Sequence, residues 1–311
     1  MSRARLLGRR LSNTLQTALL LGAMALLAGY LGWALLGADG IVAAALFAVF
    51  ALAFAPQASP RMLLRLSGAR ALAPEQAPGL YRLLHTLSER AGLERAPRLF
   101  YLPTRVLNAF AVGRRDDAAI TLTDGLLHRL EGREIAGVLA HELAHVRSND
   151  VWVMTLADLV GRITGTLSFF GLALLFVWLP ISLFSGNGLP LLPILAMIFA
   201  PTISAMLQLA LSRTREYDAD LAAVELTGDP RGLASALNTL EKLQGGWMER
   251  LFMSRAPSWL RSHPRTDERI QRLLSLERAQ PMDLADWTAD PFFGRPRVER
   301  APRWHWSGLW Y

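Results

Sequence analysis

His141-Glu142-Leu143-Ala144-His145 places two imidazoles four residues apart, with a carboxylate directly after the first. Residues i and i+4 lie on one face of an α-helix, so both rings can reach the same metal ion. Apolar residues recur at helical spacing from Glu131 to Ser148, which predicts that the stretch is helical. Glu142 points about one helical step away, where it can act as a general base without binding the ion.

The HExxH pattern also occurs by chance, because two histidines on a helix can simply be buried and hydrogen-bonded. Zinc needs a third protein ligand, with the fourth position left for water. The best candidate is Glu216, in a segment (Arg213–Asp220) that reads as the start of a helix. Glu216 and Asp220 share a face, so one can bind the metal while the other accepts the free N–H of a ligand histidine. Asp218 lies off that face and is expected in solvent. The alternative is an ordinary charged helix face.

A further polar element is Ser262-His263-Pro264-Arg265-Thr266-Asp267-Glu268-Arg269-Ile270. Pro264 biases His263 away from helix, and Thr266 is typical of an N-cap. A histidine held just before a helix could donate a hydrogen bond to a developing oxyanion, and Tyr217 is an alternative donor. Taken alone, such a histidine is more often a surface turn residue.

Together and in this order, these elements resemble the membrane-embedded M48 metallopeptidases, most closely the HtpX-type heat-shock protease branch. The segments that carry the resemblance are HELAH, SRTREYDAD, SHPRTDERI, Asn108-Ala109-Phe110-Ala111-Val112-Gly113 and Ile120–Leu127. The resemblance covers roughly Leu15 to Leu276. It implies an α+β, mostly helical fold, in which a zincin-like domain with a small β-sheet is combined with four transmembrane helices.

The resemblance also implies roles for single residues. One zinc ion per chain would be bound by three side chains, those of His141, His145 and Glu216. Glu142 would be the general base, Asp220 would contact a zinc ligand, and His263 would lie near the transition state. The edge strand that lines the substrate cleft would contain Asn108, Ala109 and Phe110.

The hydropathy of the chain indicates a membrane protein. Hydrophobic residues make up 52% of the chain and the mean hydropathy is +0.24, too apolar for an ordinary soluble enzyme. Four uncharged runs are predicted to span the membrane: Leu15–Leu36, Ile41–Ala55, Leu167–Phe184 and Leu189–Leu211. The second is short, so the bilayer would have to adapt to it. The first exceeds the apolar core of a signal peptide and is predicted to be a retained anchor.

Arginines predict the orientation, because cytoplasmic loops are basic. They precede the first run, follow the second and follow the fourth, whereas the loop Gly37–Gly40 carries only Asp39. Both termini and the metal site are therefore expected in the cytoplasm, at the inner membrane of the cell.

Much of the net charge of +7 lies beside the spans. The sequence shows no basic face with interleaved aromatic residues, so it gives no reason to expect binding of nucleic acid. The absence of cysteine leaves His and carboxylate as the strong metal ligands.

The organisation expected along the chain has three parts. Residues 1–56 form a transmembrane hairpin, 57–280 a metalloprotease domain interrupted by a second hairpin at about 167–211, and 281–311 a Trp- and Pro-rich tail. Short elements predicted inside the protease domain are a helix at Gly79–Gly92, strands at Arg98–Leu102, Asn108–Val112 and Ala118–Thr123, and helices at Arg231–Leu243 and Thr266–Leu276.

The function predicted is that of a zinc endopeptidase that hydrolyses misfolded or membrane-associated proteins in quality control. Glu142 would take a proton from metal-activated water and pass it to the leaving amine. An extended substrate would pair beside Asn108–Val112, which gives affinity with little sequence specificity. The expected partners are protein or peptide substrates and the lipid bilayer, with the oligomeric state open. The alternatives are a narrow-specificity processing peptidase of the same superfamily, a non-catalytic membrane scaffold or chaperone-like adaptor, and a channel or transporter, against which the uncharged spans argue.

Overall fold

The structure is a computed structural model that describes residues 3–54, 64, 68–185, 191–244 and 266–276. His263 and the tail at 281–311 lie outside the described residues. The chain divides into two compact units. The sheet unit consists of residues 1–10, 58–151 and 215–311, and the helical unit consists of residues 11–57 and 152–214.

Helices dominate, and the strands are few and short. The elements in chain order are α1 (Arg3–Leu36), α2 (Ala38–Phe54), β1 (Arg70–Ala71), α3 (Pro78–Arg90), β2 (Arg98–Leu102), β3 (Ala109–Val112), β4 (Ala119–Thr123), α4 (Asp124–Arg129), α5 (Gly132–Arg147), α6 (Asp150–Ser185), α7 (Leu191–Thr227), α8 (Pro230–Gln244) and α9 (Thr266–Leu274). The prediction of a mostly helical chain with a small sheet is confirmed, and each predicted strand is found to within one residue.

Three of the described helices are long and apolar enough to cross a membrane. They are Leu11–Leu36, Asp150–Val177 and Leu191–Thr227. The other predicted span falls on α2, whose 17 residues extend about 26 Å, less than a hydrocarbon core of about 30 Å. The third span also differs from its prediction, because α6 begins at Asp150 and Leu167–Phe184 is only its second half.

The helical unit packs α1 against α6 and α7. Two small apolar clusters hold these helices together: Met24 with Ala157 and Leu211, and Leu31 with Met197 and Ala200. Large apolar side chains remain on the outside, such as Phe176, which is 82% exposed. An apolar surface of this kind suits contact with lipid.

The sheet unit contains one four-stranded sheet in the order β1-β2-β4-β3. β2 and β4 are parallel, whereas β1 pairs with β2 and β3 pairs with β4 in the antiparallel sense. Every residue of the inner strand β4 is buried. β3 ends the sheet, so one of its edges has no partner strand among the described residues. It also lies beside α5, the helix that carries the paired histidines.

Local signals fix both ends of α5. Glu131 and Glu134 form a capping box, in which each side chain binds the backbone N–H of the other. The helix stops at Ser148, and Asn149 takes a left-handed conformation with φ 53°. The apolar face between these ends, which includes Leu139 and Leu143, is buried in the main core with side chains of α3, β4 and α8.

A glycine permits the close contact between α5 and α8. A Cβ atom on Gly137 would lie 3.0 Å from the backbone Cα and N of Leu233. We expect Gly137→Val to lower the free energy of unfolding by about 1–3 kcal/mol, because backbone atoms must move apart. Thermal unfolding in detergent measures the change. The matched control is Gly165→Val, because a Cβ there would meet nothing within 4 Å; equal loss in both variants would contradict the prediction.

Candidate metal centre

Two helices bring three potential metal ligands together. His141 and His145 come from α5, and Glu216 comes from α7. Their ligand atoms all lie within 4.8 Å of one another. The two Nε2 atoms are 3.1 Å apart, and the imidazole planes meet at 87°. The Oε2 and Oε1 atoms of Glu216 lie 3.3 Å from Nε2 of His141 and 3.8 Å from Nε2 of His145, respectively.

These separations are near those around one tetrahedral ion, with the two carboxylate distances measured from different oxygens of Glu216. Bonds of ~2.0–2.1 Å at the tetrahedral angle place ligand atoms about 3.4 Å apart, and the three observed distances lie on both sides of that value. His141 and Glu216 are buried, whereas His145 is partly accessible at its side chain. A small ion could therefore be held by three protein atoms, with its remaining side open to water or substrate.

Asp220 and Arg269 lie behind His141. Oδ1 of Asp220 is 3.1 Å from Nδ1 of His141, the ring nitrogen that faces away from the other two ligands. Arg269, on α9, donates from Nε and Nη2 to the two oxygens of Asp220 at 2.8 and 2.6 Å. Its Nη1 also lies 2.8 Å from Oε2 of Glu216. Arg269 is 2% exposed, so one buried guanidinium holds the two carboxylates of α7 in place.

A second aspartate lies behind His145. Oδ2 of Asp150, the first residue of α6, is 2.6 Å from Nδ1 of His145. The other oxygen of Asp150 accepts from Arg215, whose Nε lies 2.7 Å away and whose Nη2 also donates to it. Each histidine therefore contacts an aspartate, and each aspartate is held by an arginine.

The charges around the site favour a cation. Burial by itself lowers the pKa of His141, but the hydrogen bonds with Asp220 and Glu216 outweigh burial and raise this pKa to about 10. His141 therefore carries a proton near neutral pH in the metal-free protein, and an incoming ion must displace it. The carboxylates of the site exceed the guanidinium groups by three. The carboxylates are Glu142, Asp150, Asp218, Glu216 and Asp220, and the guanidiniums are those of Arg215 and Arg269. One divalent ion would offset two of these negative charges when both histidines are neutral.

The remaining predicted site residues have separate positions. Glu142 lies on α5 between the two histidines, is 7% exposed, and is not one of the three clustered ligands. The ring of Tyr217 is covered by Arg272, whose Cζ lies 3.8 Å from the ring centroid. His263 is outside the described residues, so its role near the transition state stays a prediction.

Two expectations about α7 were wrong. The helix does not begin at Arg213, because it starts at Leu191 and runs to Thr227 without interruption. Residues 213–220 look like a helix start only because charges appear there after an apolar run. Asp218 is not simply solvated either. It accepts from Nη1 of Arg215 at 3.0 Å, and its side chain is 16% exposed.

The predicted cleft residues lie at the edge of the sheet that has no partner strand in the described part of the chain. Ala109 and Phe110 belong to β3, and Asn108 directly precedes it. The backbone of Asn108 is held by Thr123, whose Oγ1 accepts from the N–H of Asn108 at 2.9 Å and donates to its carbonyl at 2.8 Å. All three cleft residues are half-buried. A segment that is ordered along one edge and unpaired along the other can accept an added strand.

Sequence reasoning did not identify three residues of the site, Asp150, Arg215 and Arg269. Arg269 lies in the same motif as His263, but nothing local distinguishes it from other charges on an amphipathic helix. Asp150 follows His145 by five residues and opens a helix, where an acidic side chain is favoured for reasons unrelated to a metal. Their roles appear only when α6, α7 and α9 meet α5.

Comparison with known proteins identifies the family of the chain. Residues 74–277 match peptidase family M48. The chain is 33% identical over 304 residues to a protein named Protease HtpX homolog from Burkholderia multivorans, across 87% of this chain and 99% of that protein. A Protease HtpX homolog from Burkholderia cenocepacia is 32% identical with the same coverage. The crystal structure of S. mikatae Ste24p has a similar fold, with a TM-score of 0.50 at 20% identity over 87% of this chain and 67% of that one. The chain therefore belongs to peptidase family M48 and is a homologue of the HtpX proteases.

Proposed function

We propose that this protein is a membrane-integrated zinc endopeptidase that hydrolyses unfolded or membrane-associated proteins. The observation that carries the proposal is the convergence of His141, His145 and Glu216, whose ligand atoms lie within 4.8 Å of one another. Two imidazoles and one carboxylate are a ligand set that zinc accepts in hydrolytic sites, with a further position left for water. The curated relatives are named proteases, which supports the same reaction class.

The chain's own residues supply the proton transfers. A zinc ion, when bound, would lower the pKa of water towards ~7 and polarise the scissile carbonyl. Glu142 would take the proton of the attacking water and then donate it to the nitrogen of the leaving amine. Both histidines would present the lone pair of Nε2 to the ion, since Asp150 is hydrogen-bonded to Nδ1 of His145 and Asp220 lies 3.1 Å from Nδ1 of His141. We further propose His263 as a donor to the oxyanion.

The substrate would bind as an extended strand along β3. Thr123 N–H donates to the carbonyl of Asn108, so the backbone groups of Phe110 and Val112 face β4. By the alternation of an antiparallel pair, those of Ala109 and Ala111 face away. Main-chain pairing with these two residues would bind many sequences, which suits a protease that clears damaged proteins.

Replacing one outward N–H tests this binding mode. We expect Ala111→Pro to raise KM about fivefold, because one main-chain hydrogen bond of ~1 kcal/mol is lost, while kcat changes less. Proline is tolerated on an edge strand, so the sheet should remain intact. Steady-state cleavage of an unfolded substrate in detergent measures both constants, with Ala111→Val as a control that keeps the N–H. Equal KM values for the two variants would contradict strand addition at β3.

The location follows from the apolar helices and the arginines. We propose that the protein spans the inner membrane with its two termini and the metal site in the cytoplasm. The protease part would then be assembled from the chain segments on both sides of the second hairpin, as the composition of the sheet unit supports. With α2 as a further, short span, the proposed topology has four crossings.

Metal removal tests the proposed function directly. The full-length protein in detergent should cleave an unfolded protein, lose this activity in a chelator, and regain it when zinc is added back. Circular dichroism before and after chelation establishes that the protein stays folded. Cleavage that persists after elemental analysis shows the metal to be gone would refute a zinc peptidase. A fully metallated, folded protein that cuts nothing would favour the scaffold alternative.

A further inference from the structure

We propose that Asp150 and Arg215 are positioning residues that orient His145 as a metal ligand. The proposal rests on the proposed function, since it takes His145 to bind the metal. Neither residue belongs to the three clustered ligands. The pair would do for His145 what Asp220 and Arg269 do for His141.

Asp150 divides its two oxygens between two partners. Oδ2 faces Nδ1 of His145 at 2.6 Å, while Oδ1 receives the fork of Arg215 through Nε at 2.7 Å and through Nη2. A carboxylate that accepts from Nδ1 fixes the histidine in the tautomer whose Nε2 lone pair is free. That Nε2 atom is the one directed at Nε2 of His141 and at Glu216.

Arg215 holds the carboxylate of Asp150 in place. Asp150 is only 4% exposed, and a buried carboxylate without a cationic partner is strongly disfavoured. Arg215 supplies the charge and a planar fork that fixes the carboxylate rotamer. Asp218, three residues further along α7, holds the third nitrogen of the same guanidinium at 3.0 Å. The arginine is therefore fixed on both sides.

The chain path explains why this pair can act on both ligand helices. Asn149, with φ 53°, turns the chain directly after α5, and Asp150 follows five residues after His145. Arg215 is the residue before Glu216 on α7. The ion pair Arg215–Asp150 thus ties the helix that carries the carboxylate ligand to the aspartate that orients a ligand on the other helix.

Zinc affinity of Asp150→Asn tests the proposal. We expect zinc to bind about tenfold to a hundredfold more weakly to this variant than to the wild type, as is usual when a hydrogen-bond partner of a ligand is removed. The full-length protein in detergent is titrated with zinc against a chromophoric chelator. The visible spectrum of the cobalt-loaded protein gives a second readout, because a shifted ligand changes its bands and a distant loss of stability does not. Asp150→Glu, which keeps the carboxylate, should recover part of the affinity.

Asp229→Asn is the matched control. Asp229 also receives a two-pronged arginine contact, from Nε and Nη2 of Arg133 at 3.0 and 2.8 Å, and its hydrogen bonds within the described residues do not involve His141, His145 or Glu216. Its loss should lower stability without changing zinc affinity or the cobalt spectrum. If both variants weaken zinc binding equally, the effect of Asp150 is merely structural and the proposal fails.

The remaining outcomes are also decisive. A folded Asp150→Asn protein whose zinc affinity lies within about twofold of the wild type would overturn the proposal, since loss of such a partner costs at least about tenfold. If Asp150→Asn does not fold, Arg215→Gln is judged by the same criterion. A wild type that binds no zinc would refute the proposed function itself, whereas normal binding by the wild type and by every variant would refute only the positioning pair.

Discussion

Glu142→Gln is expected to abolish most peptidase activity while zinc stays bound. Glutamine keeps the size and hydrogen-bonding shape of the side chain but cannot take a proton. Because a positioned general base contributes about 10²–10⁴-fold, we expect kcat to fall by roughly that factor. Glu142 lies outside the group of three clustered ligands, so the zinc content should not change. Cleavage of an unfolded substrate and elemental analysis of the same preparation give the two quantities.

Glu94→Gln provides the control, since it makes the same chemical change at an exposed position. It should leave kcat and zinc content unaltered. Wild-type activity in the Glu142→Gln protein would remove Glu142 from the role of base. Loss of zinc together with activity would show instead that Glu142 supports the metal rather than the proton transfer.

The largest stability effect is expected at Arg269, which is 2% exposed and contacts two carboxylates of α7. Arg269→Met should destabilise the metal-free protein by about 3–5 kcal/mol, because two buried carboxylates lose their shared guanidinium and only the single positive charge of His141 remains beside them. Zinc should restore part of the loss, since a bound dication compensates Glu216 and Asp220. Thermal or chemical unfolding in detergent, with and without zinc, measures both effects.

Arg133→Met shows how much of this effect depends on burial. Arg133 also contacts an aspartate through two nitrogens, but its side chain is 48% exposed. A surface ion pair contributes about 0–1 kcal/mol, so the control should lose far less than Arg269→Met. Equal losses would mean that the network around Arg269 does not hold the two carboxylates of α7 together.

Local sequence signals predicted the parts of the site that lie on one element. The i, i+4 histidines needed only a helix, and the capping box and apolar spacing of α5 define that helix. The strands were equally readable as short runs of apolar, aromatic and β-branched residues, such as RLFYL in β2 and AITLT in β4. The selection of Glu216 and Asp220 also came from spacing on one helix face, although their distance from α5 could not be read from the chain.

Features that depend on several elements could not be predicted. Asp150, Arg215 and Arg269 come from three different helices, and each resembles an ordinary surface charge until these helices pack. The start of α7 was misplaced because hydropathy detects where an apolar run ends, not where a helix ends. α7 continues through a segment of mixed polar and apolar residues from Ser212 to Thr227. Likewise, the uncharged run of the third predicted span did not show that its helix, α6, already begins at Asp150.

Zinc stoichiometry of the purified full-length protein, measured beside that of Glu216→Ala, tests most directly whether α5 and α7 share one ion. The wild type should hold one zinc ion per chain, and Glu216→Ala should lose it under conditions in which the wild type retains it, because two imidazoles alone bind zinc weakly. A folded Glu216→Ala protein that keeps zinc with wild-type affinity would show that the two helices do not form a common site.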